Sequence, residues 1–146
     1  MPHRLAWSNG VSVDWRFRSA EHAYQASKAV DAQLAAIIWQ APTAADAKRL
    51  GREITPRPDW VNMRVAVMRE VIQAKFTGNT ALADALCDTG TRELIEGNTW
   101  GDRFWGVEVT STPSGAADAI IYTGENWLGR ILMERRAALQ AERRSR

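Results

Sequence analysis

The chain has 146 residues, 45% of them hydrophobic and 25% charged, with a net charge of +2, a profile that suits one soluble globular domain able to bury a core. One cysteine, Cys87, excludes an internal disulfide, and with only two histidines beside it a structural zinc site is not expected. The longest nearly apolar run, Leu34 to Trp39, falls far below the roughly 20 residues of a membrane helix, and no signal-peptide pattern is visible. A cytoplasmic protein with no membrane partner is therefore expected. Much of the positive charge gathers at the end, in Arg135, Arg136, Arg143, Arg144 and Arg146, and residues from about 140 to 146 read as a basic tail. Cations suit a helix C-terminus, which is a plainer reading than a nucleic-acid patch. Only three of the nineteen basic residues are lysines, Lys28, Lys48 and Lys75, and arginine cannot lose its proton to become an amine nucleophile.

Met1 to Trp7 reads as a short opening segment, Asn9-Gly10 as a turn, and Val11 to Phe17 alternates apolar and polar residues like a strand. Ser19 suits an N-cap, with a helix running through Ala20, Ala23, Tyr24 and Ser27 toward Val30 and a second over Asp31 to Gln40. A third helix starts at Pro42-Thr43 and ends at Leu50-Gly51, Gly51 being placed just past its end. After Pro56 and Pro58, Asp59 caps a helix whose Trp60, Met63, Val67, Val71 and Ala74 form an apolar stripe, and Gly78 stops it. Thr80 to Cys87 is a short helix, and Thr91 to Glu96 reads as a further turn or two. Gly97 to Gly106 is a loop, Val107 to Thr110 and Ala119 to Tyr122 are strands, and a last helix opens near Asn126 with Leu128, Ile131, Leu132, Arg135 and Leu139 on one stripe. The class is α+β: a single, predominantly helical domain over residues 1–146 with a few short strands.

Three places hold chemistry. Glu21 and Lys28 are seven residues apart, nearly two turns of an ideal helix, so both emerge from one face about 10 Å apart along the axis. Such a pair frames a sugar-sized gap, although on spacing alone a dipole-stabilising Glu21 and a solvated Lys28 are the plainer reading. His22 reads as a partly buried ring bonded to backbone before it reads as a catalyst. In Trp100-Gly-Asp-Arg-Phe-Trp-Gly106, glycines admit a ligand to the backbone, aromatics stack on a base, and Asp102 accepts from ribose hydroxyls or acts as a base. Gly124-Glu-Asn-Trp-Leu-Gly129, at the start of the last helix, offers free N–H groups to a phosphate, or simply an N-cap at Asn126. There is no P-loop, GxGxxG, GxSxG or metal-spaced His/Cys cluster.

Ser19-Ala-Glu-His-Ala-Tyr-Gln-Ala-Ser-Lys28 resembles the S-x-E-H-x-x-Q-A-x-K signature of the NADAR family of YbiA-like N-glycosidases. The likeness continues in order through Ala47-Lys-Arg-Leu-Gly-Arg52, Asp59-Trp60, Met68, Ala74-Lys-Phe76, Leu86, Thr89-Gly90, Leu94-Ile-Glu96, Asp102-x-x-Trp-Gly106 and Gly124-x-Asn-x-Leu-Gly129, with Leu132-Met133 beyond. The resemblance implies hydrolysis of an N-glycosidic bond. The substrate is ADP-ribosylated guanine of DNA or RNA, or alternatively a phosphoribosyl-pyrimidine of riboflavin synthesis; a non-catalytic ADP-ribose-binding module is the rival of another class. It puts the family's lysine, a Schiff-base nucleophile, on Lys28 and its glutamate on Glu21. Asn9, His22, Gln25, Asp102, Trp105, Gly106, Asn126 and Gly129 are then expected at the substrate, with no cofactor and no metal.

Overall fold

The computed structural model describes residues 1–7, 10–112 and 119–145, in two compact units, Met1–Thr80 and Ala81–Arg146. It is α+β, with six helices and short strands. Expectations that fall on Asn9 lie outside the described residues.

The first unit begins with a strand that composition alone does not announce. β1 (Pro2–Ala6) pairs antiparallel with β2 (Ser12–Arg16), Pro2 opposite Arg16 and Ala6 opposite Ser12. Alternation then sends His3 and Leu5 inward. α1 (Ala20–Ala26) is capped by Ser19, whose hydroxyl accepts from the His22 N–H. It is shorter than the expected helix, and Ser27 and Lys28 form a tighter turn beyond it. The Ser27 hydroxyl donates back to the Ala23 carbonyl at 2.7 Å, and the Lys28 N–H donates to the Gln25 carbonyl three residues back. α2 (Ala32–Trp39), capped by the Asp31 carboxylate, and α3 (Ala44–Glu53), capped by Thr43, follow.

Ala23, Ala26, Ala29, Ala35 and Ala47 have no exposed surface, and this small-residue packing lets α2 and α3 close in on α1. Gly51 extends it. The expected helix end at Gly51 is corrected, because α3 continues through it to Glu53 and Gly51 is buried inside the helix. A Cβ there would overlap the Gln25 side chain, lying 2.9 Å from its Cβ and 2.8 Å from its Cδ. α4 (Trp60–Thr77) buries Trp60, Val67, Val71, Ile72 and Phe76, whereas Met63 of the expected stripe is exposed. Asp59 stands at its start without capping it, since Arg57 holds the carboxylate through two bonds of 2.6 and 2.9 Å.

In the second unit, α5 (Thr80–Asp88) precedes a stretch expected to be helical. Residues 91–96 instead run irregularly, because other segments claim their backbone. Asn126 donates through Nδ2 to the Leu94 carbonyl at 2.8 Å and accepts the Glu96 N–H on Oδ1 at 3.0 Å. The buried Arg136 donates to the Arg92 carbonyl and the Thr89 hydroxyl, at 2.8 and 2.7 Å. β3 (Gly97–Asn98) lies parallel to β4 (Val107–Thr112), which pairs antiparallel with β5 (Ala119–Thr123). α6 (Trp127–Arg144) takes in most of the expected basic tail, and Arg143 pairs with Asp84.

Asn126 therefore stitches two segments while its own backbone is left-handed, with φ of 53°. Asn126→Ala should lower the unfolding free energy by about 2–4 kcal/mol, since it orphans a partly buried N–H and carbonyl and strains the backbone. Asn126→Gly, which relieves only the strain, should recover part of the loss in chemical denaturation.

Candidate active site

α1 and the turn after it carry the chemistry of the first unit. Lys28, half-buried, points its amine at the aromatic pair Tyr24 and Trp60, 5.5 and 6.0 Å from the ring centroids, which themselves stand 5.1 Å apart. Its Nζ donates to the Gly51 carbonyl at a long 3.4 Å. Burial holds the ammonium below its ordinary value near 10.5. Glu21 opposes this by attraction, while Arg52 and Lys48 push the same way as burial. The result is an amine within the field of a carboxylate, walled by aromatics and easier to deprotonate than a solvated lysine.

The backbone under that amine is tied down by distant parts of the chain. The Arg57 N–H donates to the Lys28 carbonyl at 2.8 Å, and the Trp7 indole N–H to the Ala29 carbonyl at 2.8 Å. The Arg57 side chain in turn donates to the Ala6 carbonyl at 2.9 Å. Glu21 accepts a 2.6 Å hydrogen bond from Gln25 Nε2. Gln25, expected at the substrate, is a buried residue packed on Gly51. His22, also expected there, is 2% exposed with both ring nitrogens in use. Its Nε2 donates to the Ala41 carbonyl at 3.0 Å, so Nδ1 is the acceptor for the Ser19 hydroxyl at 2.7 Å. Both ring nitrogens thus bond within the first unit, to residues on either side of α1 and α2.

In the second unit most of the residues expected at the ligand also make contacts within the fold. The Asp102 carboxylate accepts the N–H groups of Phe104 and Trp105, at 3.1 and 2.9 Å, folding the aromatic loop over itself. Asn98, which the sequence reading did not single out, is buried and donates to the Asp102 and Val107 carbonyls at 2.7 and 3.0 Å. Gly106 abuts β3, where a Cβ would strike the Glu96 carbonyl. Gly129 presses on the Leu94 carbonyl and the Asn126 amide, and Asn126 is spent on residues 94 and 96. Trp105 is the expected residue left half-buried, edge-to-face with Phe104 at 4.9 Å, while Trp100 is 67% exposed. Among the described residues no three His, Cys, Asp or Glu side chains are grouped to hold a metal ion, and no helix is long and apolar enough to cross a membrane.

The profile of the NADAR domain matches residues 5–140. A Vibrio vulnificus protein named as a riboflavin biosynthesis protein is 43% identical over 124 residues, a match covering 84% of this chain but 30% of the length of that protein. A Nostoc punctiforme protein named as an N-glycosidase is 35% identical over 138 residues, covering 90% of this chain and 81% of that one. The Escherichia coli N-glycosidase YbiA is 30% identical over 141 residues, with 94% and 79% covered. The NMR structure of the Escherichia coli protein YbiA superposes with a TM-score of 0.72 at 27% identity, over 100% of this chain and 77% of that one.

The charges around Lys28 give a test with defined signs. Its titration midpoint, followed by NMR of the side-chain nitrogen, should lie below 10.5. Arg52→Gln and Lys48→Gln each remove a repulsion and should raise the midpoint; Glu21→Gln removes an attraction and should lower it further. Midpoints that stay put in all three variants would mean that solvent screens these charges from the amine.

Proposed function

Because the chain belongs to the NADAR domain family, we propose that it is an N-glycosidase that breaks the bond between a ribosyl anomeric carbon and a base nitrogen, with Lys28 as nucleophile. The observation that carries this reading is the amine itself: half-buried, depressed in basicity, set against Tyr24 and Trp60 and within the field of Glu21. A lysine used only to bind phosphate gains nothing from losing its charge. A nucleophile requires it.

In this reading the neutral Nζ attacks the anomeric carbon, and the carbon–base bond breaks with its electron pair going to the base nitrogen. Glu21 manages the proton that the departing base takes up, as carboxylates do in sugar hydrolases. The adduct opens the sugar ring to an imine on Lys28. Water then adds at that carbon, the carbon–Nζ bond breaks, and the free ribosyl sugar leaves with Lys28 restored.

ADP-ribosylated guanine in DNA or RNA is the first substrate class. A phosphoribosyl-pyrimidine of riboflavin synthesis is the second, and the observation that favours it is the name carried by the 43%-identical Vibrio relative. Incubation with an ADP-ribosylated guanine oligonucleotide and, separately, with the riboflavin intermediate, read by mass spectrometry, should release ADP-ribose from the first, with the guanine left in the strand, or the pyrimidine base from the second. Borohydride added during turnover should leave the ribosyl group on Lys28, with Lys48 and Lys75 clean. Lys28→Arg should neither trap nor turn over, and full activity in that variant would end the covalent mechanism. Glu21→Gln should bind substrate but turn over roughly 10²–10⁴-fold more slowly.

A further inference from the structure

The Gln25 amide is held in an orientation that its own hydrogen bonding does not favour. Nε2 donates to Glu21 at 2.6 Å, while Oε1, buried in the same cluster, has no donor among the described residues. A buried acceptor left unpaired is destabilising, and native structures seldom keep one. Turning the amide over would relieve nothing, because it would set Oε1 against a carboxylate oxygen of Glu21. The orientation is thus dictated by the carboxylate and maintained at the expense of Oε1.

The space for it comes from α3. Gly51 stands inside that helix, where glycine is unfavourable by about 1 kcal/mol relative to alanine. A methyl group there would occupy the place of the Gln25 amide. The same glycine's carbonyl receives the Lys28 amine. One glycine therefore touches both the residue that holds Glu21 and the amine that Glu21 serves.

We propose that Gln25 is a positioning residue that fixes the Glu21 carboxylate toward the reacting bond, and that Gly51 is the element of the site that admits it. The proposal rests on the N-glycosidase reading only in giving Glu21 a proton to manage; the contact itself is independent of any substrate.

The decisive variant is Gln25→Met, close in volume but without an amide. It removes the donor to Glu21 together with the orphaned Oε1. Its melting temperature should equal or exceed that of the wild type, while kcat should fall roughly tenfold, the worth of one hydrogen bond to a charged group, with KM nearly unchanged. A merely structural glutamine would lower stability and leave kcat of the folded protein intact. Gly51→Ala should show the same loss of kcat by displacing the amide. A wild-type kcat in Gln25→Met, or a rise in KM alone, overturns the proposal. NMR of the Gln25 side-chain amide protons provides a second measurement that needs no activity. Their resonance should shift in both Glu21→Ala and Gly51→Ala, and an unmoved resonance in both overturns the proposal. Should the wild type cleave neither substrate, the glycosidase reading falls while the NMR result still decides whether Gln25 holds Glu21.

Discussion

The approach of α3 to α1 at Gly51 sets what the first unit can do. No side chain fits there, and the neighbouring alanines show that the closeness extends along α1. Tight packing of small residues gives each one little hydrophobic stabilisation but many contacts at optimal distance, and it leaves little freedom for either helix to slide. The polar groups inherit that rigidity. Gln25 reaches Glu21 one turn back along α1 itself, and Lys28 finds the Gly51 carbonyl because the α1 and α3 backbones are already close. A bulkier interface would have spread the amine and that carbonyl beyond hydrogen-bond reach.

Around the amine, burial and charge act in opposition, and burial prevails. Glu21 favours the ammonium, whereas desolvation, Arg52 and Lys48 disfavour it. A carboxylate near a lysine usually makes a stable ion pair and an unreactive amine. Here the carboxylate accepts a hydrogen bond from Gln25, and the half-buried amine stands beside two aromatic rings and a carbonyl. That arrangement keeps the two groups within electrostatic range of one another and available for different tasks.

Much of this was legible in the sequence where a local rule decides. Caps at Ser19, Asp31 and Thr43, the helix stop at Gly78 and the strand pair after Gly106 follow from propensity and pattern. Spacing and the scarcity of lysine only nominated Glu21 and Lys28, and their proposed roles come from the resemblance to the NADAR signature. What could not be read was set by partners far along the chain. Residues 91–96 have helical composition, but Asn126 and Arg136 take their backbone groups. Gly51 looked like a helix end because glycine usually is one, and only the Gln25 side chain explains it inside a helix. His22, Gln25, Asp102 and Asn126 are polar residues in motif-like surroundings, and nothing local distinguishes a side chain that meets a ligand from one that braces a loop. Asn98 and the Tyr24–Trp60 pair gave no signal of their own, since their importance lies in what folds beside them.

The carbonyls of Lys28 and Ala29, just past the end of α1, are both taken by distant donors, Arg57 and Trp7. The turn bearing the amine is thereby fastened both to the end of the β1–β2 hairpin and to the lead-in of α4, the helix that supplies Trp60. The Lys28 amine, its aromatic wall and the hairpin share one mechanical frame. Partial opening of that hairpin, an edge element with only two strands, would free the Lys28 turn before the helices separate. On warming, alignment of the amine would then be lost by local fraying at the chain's beginning, several degrees ahead of cooperative unfolding, and thermal inactivation would track the hairpin rather than the core.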